Sequence, residues 1–310
     1  MNYLGIDIGG TRIKYGVADD KGEINEIYYS DTEAYKGAEQ LIITIKKIIN
    51  EILQNNFIKG IGISTAGQVD SHTGEIIFAT ETIPGWTGVK LKDIIQNTFN
   101  IPCCVDNDVN CACLGEMWKG NMGEHKNVIF LTLGTGIGGA IIIDKKLYSG
   151  SNFIAGEIGH INLYKDGERC TCGANGCFER YASTAALIKR AKHRLNLDEN
   201  FDLSGEDIFS KAKDGEEIYI SIIDEWSYDI ALGLKSIIYM FNPSLVIIGG
   251  GVSAQGDYLI GFIKRHLNSI TMPSFLKHLQ IKTAKYGDSA GILGAVYRLR
   301  INSVINSINL

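Results

Sequence analysis

Three groups of residues in this 310-residue chain have types and spacings that could do chemistry. The first is Asp7-Ile8-Gly9-Gly10-Thr11-Arg12-Ile13-Lys14. Glycines at the tip of a turn let backbone N–H groups face an anion. Thr11 adds a hydroxyl and Lys14 a positive charge, so Gly9, Gly10, Thr11 and Lys14 could cradle a polyphosphate. Asp7, at a strand end, could hold Mg2+ through water. An ordinary tight hairpin would use the same glycines, because short glycine motifs recur by chance. A second glycine run, Gly134-Thr135-Gly136-Ile137-Gly138-Gly139, strengthens the anion reading through Thr135, Gly136 and Gly138.

The second group is Glu157-Ile158-Gly159-His160, then Cys170-Thr171-Cys172-Gly173-Ala174-Asn175-Gly176-Cys177 and Glu179. Three thiolates and one imidazole, His160, Cys170, Cys172 and Cys177, make a closed tetrahedral zinc site, with glycines permitting the knuckle that brings the sulfurs round one ion. With no open coordination position the zinc would be structural. It would hold Glu157, Glu179 and the outer face of His160 about one point, leaving one imidazole nitrogen for a ligand. The competing reading, buried cysteines and a core histidine, fits a polar glycine-rich loop poorly.

The third group is Val105-Asp106-Asn107-Asp108-Val109-Asn110, at a strand-to-helix junction. A carboxylate at such a junction can accept a proton from a substrate hydroxyl. Helix capping by Asn or Asp is the alternative, but capping needs only one of these side chains.

The elements that must position these groups follow from hydrophobic periodicity. Strands are expected at Tyr3 to Ile8, Arg12 to Ala18 and near Ile24 to Tyr29. A helix follows, on which Leu41, Ile42, Ile45, Ile48, Ile49, Ile52 and Leu53 recur at helical spacing. Further strands are expected at residues 60–64 and 103–105, with a helix from about Asp108 to Trp118. The pattern then restarts: strand Val128 to Leu133, glycine turn, strand Ala140 to Ile143. This weak internal repeat of a glycine-turn hairpin suggests a duplicated α/β unit. A long helix at about 216–241 leads into strand 245–248 and the turn Gly249-Gly250-Gly251. A last helix begins near Ser289. The expected domains are residues 1–118, with the helix at about 289–310 returning to them, and residues 119–288 carrying the cysteine loop.

Composition narrows the classes. Thirty Lys and Arg against 35 Asp and Glu give a formal charge of -5, and no basic run is present, which disfavours nucleic acid or an anionic membrane as partner. No apolar stretch is long enough to span a bilayer, and the start lacks a signal-peptide pattern, so a cytoplasmic location is expected. The odd count of seven cysteines suits a reducing compartment, with Cys103, Cys104, Cys111 and Cys113 read as buried thiols.

Together, Asp7-Ile8-Gly9-Gly10-Thr11, Gly67-Gln68-Val69-Asp70, Asn107-Asp108, the glycine run at 131–139, Glu157-x-x-His160 and Cys-x-Cys-Gly-x-x-Gly-Cys-x-Glu resemble the ROK family (repressor, open reading frame, kinase) across nearly the whole chain. The resemblance implies the actin-like ATPase (ribonuclease H-like) fold, two duplicated α/β domains with a central cleft, and an ATP-dependent sugar kinase using Mg2+ and structural Zn2+. It makes Asp108 the base for the sugar hydroxyl, commonly that on C6. Asn107, Glu157, His160 and Glu179 would bind the other hydroxyls, and Gly67 would lie beside the sugar. The hairpins at Asp7 to Lys14 and Thr135 to Gly139 would cradle phosphates, with Gly250 and Gly251 near the adenosine. A homodimer is implied by resemblance alone. Family repressors carry an additional N-terminal helix-turn-helix segment, and with the first hairpin beginning at residue 5 none is expected here.

The segments Ser64 to Asp70 and Ile83-Pro84-Gly85-Trp86-Thr87-Gly88 depart from the wording of many ROK glucokinases. They look more like N-acetylmannosamine or β-glucoside kinases. A glucokinase and a non-catalytic sugar sensor remain alternatives. A dehydrogenase would need a glycine turn leading into a helix, and an actin-type ATPase has no reason for the cysteine loop.

Overall fold

The structure is a computed structural model that describes residues 1–308, with side chains to residue 301. The chain divides into two compact units. The first comprises Met1–Gly123, Ser149–Ala155 and the chain from Asp288 onward; the second comprises Glu124–Tyr148 and Gly156–Gly287. The boundary falls after Gly123 rather than after Trp118. Residues 119–123 are tied back to the first unit by Lys119 to Glu23 at 2.7 Å and by Asn121 to the buried Glu116 at 2.5 Å.

Among the described residues the first unit holds seven strands: β1 (Tyr3–Ile8), β2 (Arg12–Ala18), β3 (Tyr28–Asp31), β4 (Ile61–Thr65), β5 (Gln68–Asp70), β6 (Glu75–Phe78) and β7 (Cys103–Asn107). Its main sheet runs β3-β2-β1-β4-β7, and β5-β6 form a separate hairpin. β1, β4 and β7 are parallel, while β2 and β3 are antiparallel. Helices Ala38–Asn55, Leu91–Phe99, Asp108–Trp118 and Gly287–Ile308 complete it. The apolar stripe of the first of these, Leu41, Ile45, Ile48 and Ile49, is buried and shares a core with Leu4, Ile6, Ile8, Ile61 and Ile63 of the sheet, as a 3.6-residue period requires.

The second unit repeats the arrangement with β8 (Val128–Leu133), β9 (Ile137–Ile143), β10 (Lys146–Leu147), β11 (Leu245–Gly249) and β12 (Gln280–Thr283), in the order β10-β9-β8-β11-β12. Again three antiparallel neighbours are followed by two parallel pairings. The expected duplication is therefore real, and the fold is the two-fold α/β arrangement of the actin-like ATPases. The long helix Glu217–Phe241 supplies much of the second core, including Trp226, Ile230 and Leu234.

Three expected boundaries move. Pairing with β2 resumes only at Tyr28, because Asp19 Oδ1 accepts from Lys21 and Glu23 N–H and closes a turn that leaves Ile24 as an isolated bridge to Ala18. β9 begins at Ile137, three residues before the expected Ala140, since Ile137, Gly138 and Gly139 pair with Leu133, Thr132 and Leu131. The last helix starts at Gly287, and residues 309–310 of the expected returning helix lie outside the described residues. No helix among the described residues is long and apolar enough to cross a membrane.

Candidate active site and metal centre

In the first unit, parallel register sets the polar groups in rows. Asp7 pairs with Ser64 and Ser64 with Asp106, while Ile8, Thr65 and Asn107 form the next row. The buried Ser64 donates its hydroxyl to Asp7 Oδ1 at 2.6 Å. The hairpin beyond Asp7 is pinned, with Gly9 N–H donating to Arg12 O at 3.0 Å and the buried Thr32 hydroxyl to Gly9 O at 2.8 Å. Gly10 and Thr11 stay exposed at its tip. Lys14, opposite Asp7, forms an ion pair with Asp288 at 2.7 Å. That acid lies 274 residues away, and sequence spacing gave no sign of it.

The Asp106-Asn107-Asp108 turn divides three tasks among three side chains. Asn107 is the helix N-cap: its Oδ1 accepts from Val109 and Asn110 N–H, satisfying donors that a helix start leaves open. Its Nδ2 donates to Gly67 O and to Asp108 Oδ1, both at 2.9 Å. Asp106, fully buried, faces Arg298 at 3.0 Å. Asp108 is thus needed for neither capping nor ion pairing. Its Oδ1 accepts from Asn107 and from Val109 N–H. The residue as a whole is half-buried, with its carboxyl surrounded by protein. Burial first, and then the charge of Asp7, raise its pKa from 3.8 to about 7. Burial also raises Asp7, opposed by the Ser64 hydrogen bond and the Lys14 charge. Two neighbouring acids made more basic in this way are what general-base chemistry near neutrality and a divalent cation both exploit.

In the second unit, the tip of the β8–β9 hairpin is Gly134 to Gly136, closed by Gly134 N–H to Gly136 O at 3.0 Å. Thr135 and Gly136 therefore lie at the tip, whereas Gly138 is a ladder residue of β9. This corrects the expectation that Gly138 forms part of the turn. A Cβ at Gly136 would lie 2.8 Å from Glu179 Oε2, which places that carboxylate against the hairpin. Gly250, with φ +83°, packs on the end of β8, where a Cβ would lie 2.3 Å from Leu133 O, and Gly251 is exposed beside it. The two glycine runs of this unit thus meet.

The short turn Ile158–His160 lies against β9, because a Cβ at Gly159 would meet Ile137 O at 2.2 Å and one at Gly156 would meet Gly139 O at 2.6 Å. That close approach positions the flanking Glu157 and His160. His160 Nδ1 lies 3.6 Å from Cys170 Sγ, Cys172 and Cys177 Sγ are 3.5 Å apart, and all four ligand atoms of His160, Cys170, Cys172 and Cys177 fall within 4.8 Å of one another. Ligands at 2.0–2.3 Å from one tetrahedral ion would be separated by about 3.6–3.8 Å. The donor set and its spacing fit zinc. Cys170 N–H to Ala174 O and Gly176 N–H to Glu168 O close the knuckle, and a Cβ at Gly176 would sit 1.7 Å from Tyr164 O, so glycine is obligatory there. With Nδ1 turned to the sulfurs, His160 Nε2 is 4.0 Å from Glu157 Oε2. Glu179 Oε1 is 3.9 Å from Nδ1. The expected cluster Glu157, His160 and Glu179 is therefore brought together.

The other four cysteines, Cys103, Cys104, Cys111 and Cys113, are buried thiols, and burial pushes Cys104 up to about 12. Sequence reasoning missed Ser64, Thr32, Asp288 and Arg298. Only Ser64 had a usable signal, its strand register with Asp7.

Comparison with known proteins gives one family. A solved ROK family glucokinase from Streptomyces griseus, in complex with glucose and AMPPNP, aligns at TM-score 0.83 and 33% identity over 95% of this chain and 98% of that one. A beta-glucoside kinase of Listeria monocytogenes is 32% identical over 96% of this chain and 97% of its own length. A xylose repressor of Caldicellulosiruptor bescii is 30% identical over 94% of this chain and 76% of its own. The sequence profile of the ROK family matches residues 3–300, and the chain belongs to that family.

Proposed function

We propose that this protein is an ATP-dependent sugar kinase that transfers a phosphoryl group to the C6 hydroxyl of a hexose or N-acylhexosamine. The observation that carries this reading is Asp108: a carboxylate at a strand-to-helix junction, spared from capping by Asn107, with its pKa raised to about 7. In this role Asp108 accepts the hydroxyl proton as the bond to phosphorus forms. Phosphoryl transfer passes through a loose transition state, so positioning and charge neutralisation dominate and the base acts late, contributing about 10²- to 10⁴-fold.

Asn107 binds one sugar hydroxyl by exchanging its Nδ2 contact with Asp108 for the substrate, and Glu157, His160 and Glu179 bind further hydroxyls. The exposed tips at Gly9 to Thr11 and Thr135 to Gly136 present N–H groups to phosphates, with Lys14 adding charge and Gly250 and Gly251 lying beside the adenosine. Mg2+, held through water by Asp7, would neutralise the β- and γ-phosphates. Zinc on His160, Cys170, Cys172 and Cys177 would supply no chemistry beyond fixing His160 and Glu179. The protein acts as a homodimer in this reading.

The wording of Ser64 to Asp70 and Ile83 to Gly88 favours an N-acetylmannosamine or β-glucoside acceptor, and the similarity to the Listeria enzyme supports the second. Similarity to a glucokinase keeps glucose as the other substrate to test. The experiment is ATP consumption with Mg2+ against N-acetylmannosamine, N-acetylglucosamine, cellobiose, glucose, mannose, allose and fructose, with zinc content measured on the same sample. A sugar-dependent rate above background is expected. Zinc-loaded, folded protein that binds a sugar yet consumes no ATP would overturn the kinase in favour of a sensor, the role compatible with the similarity to a repressor.

A further inference from the structure

Arg298, on the C-terminal helix of the first unit, lies outside every motif discussed above, yet it joins the two segments that hold Asp108 in place. Its side chain is 18% exposed. Nε lies 3.0 Å from Asp106 Oδ2 as an ion pair without hydrogen-bond alignment, and a terminal nitrogen donates to Ser71 Oγ at 2.7 Å. Each contact leads toward the base. Asp106 Oδ1 accepts from the Asn107 N–H at 2.8 Å and from Asn110 Nδ2 at 3.2 Å, which sets the backbone and side chain of the capping turn. Ser71 directly follows β5, the strand that Gly67 precedes. Asn107 Nδ2 then closes the circuit by donating to Gly67 O and Asp108 Oδ1. One guanidinium therefore fixes both ends of the Gly67–Asn107 contact. The guanidinium faces the Asp106 carboxylate as an ion pair while donating a hydrogen bond to Ser71, two directions that a lysine ammonium cannot serve at once.

We infer that Arg298 is a positioning residue for phosphoryl transfer: by bridging Asp106 and Ser71 it locks the hairpin after Gly67 to the Asp106–Asp108 turn and so aligns the base with the acceptor hydroxyl. Its contacts are with Asp106 and Ser71, and it acts through them. The inference rests on the kinase reading, in which Asp108 is the base.

The test compares Arg298→Lys, Ser71→Ala and the double variant Asp106→Asn/Arg298→Met with the wild type, as folded, zinc-loaded full-length protein. Arg298→Lys keeps a cation for the buried Asp106 but cannot bridge, so kcat should fall about ten- to a hundredfold, as misplacement of a reacting group does. KM for ATP should stay within twofold of wild type, a range of about 0.4 kcal/mol. Ser71→Ala should lower the same parameter by less. The double variant, which removes the buried charge pair altogether, should regain thermal stability without regaining kcat. Wild-type kcat in Arg298→Lys, or a rate in the double variant that recovers with stability, would reduce Arg298 to a structural ion pair and overturn the inference. If the wild type itself phosphorylates no sugar, the kinase reading has failed. The bridge is then read by amide exchange of residues 65–71 and 105–109, where unchanged protection in Arg298→Lys refutes it.

Discussion

Replacing Asp108 by Asn should make the protein more stable while removing its activity, with a pH dependence that identifies the cause. In the folded chain this carboxyl is raised from 3.8 to about 7 by burial and by Asp7. Between those values the unfolded chain has released the proton and the folded chain still holds it. Stability therefore falls as pH rises from about 4 to about 7, and the loss is complete above that. The span of roughly three pH units, at about 1.4 kcal/mol each, sets an upper bound near 4 kcal/mol. Solvent at the open face of Asp108 screens part of this, leaving about 2 kcal/mol. The amide carries no charge and is spared the loss. Calorimetry without nucleotide or Mg2+ should show Asp108→Asn melting about 3 °C above wild type at pH 8, with the difference vanishing near pH 4. The same variant should lose about 10²- to 10⁴-fold in kcat while sugar binding largely survives. A melting difference independent of pH would refute the electrostatic account, and near-normal turnover would remove Asp108 from the role of base.

The wild-type rate should show the companion effect: kcat/KM, measured with sugar as the varied substrate, should fall about tenfold per pH unit below about 7 as Asp108 takes up its proton, and a flat profile down to pH 5 would exclude a base with this environment. Cys172→Ala should lose zinc and sugar affinity together, read by metal analysis and calorimetric titration; undiminished sugar affinity in metal-free protein would mean that the loop does not organise Glu157, His160 and Glu179. Gly294→Ala would put a methyl group 1.6 Å from Cys111 O, and overpacking of backbone against backbone should cost about 3 kcal/mol or more; a melting temperature within two degrees of wild type would show that the helices can part freely.

Local groupings carried most of what was legible before the fold was known. His160, Cys170, Cys172 and Cys177 sit close in sequence, so their chemistry shows in spacing alone, and the duplicated glycine hairpins announce themselves by apolar runs that end in glycine. Gly138 was misplaced because β9 pairs straight through its glycines, and composition cannot separate a glycine in a turn from one in a ladder. Asp288 and Arg298 were invisible for a different reason. Their partners, Lys14 and Asp106, are brought near only when the last helix packs on the first sheet, and a single charged residue on an amphipathic helix looks the same whether it faces water or a buried acid. The substrate was least legible of all, since Glu157, His160 and Glu179 offer similar hydrogen bonds to several sugars.

Helices Asp108–Trp118 and Gly287–Ile308 approach each other closely at glycines. A Cβ at Gly115 would meet Ala290 O at 2.2 Å, one at Gly294 would meet Cys111 O at 1.6 Å, and one at Gly291 would meet the Asp7 carboxylate at 2.6 Å. One of these helices begins at Asp108, and the other presses directly on Asp7. At Gly115 and Gly294 main chain bears on main chain, which leaves little side-chain freedom at those two points of the crossing. It works as a solid spacer between two acids whose mutual repulsion helps set the proton affinity of one of them. The crossing thereby fixes the spacing behind the second contribution, after burial, to the raised proton affinity of Asp108.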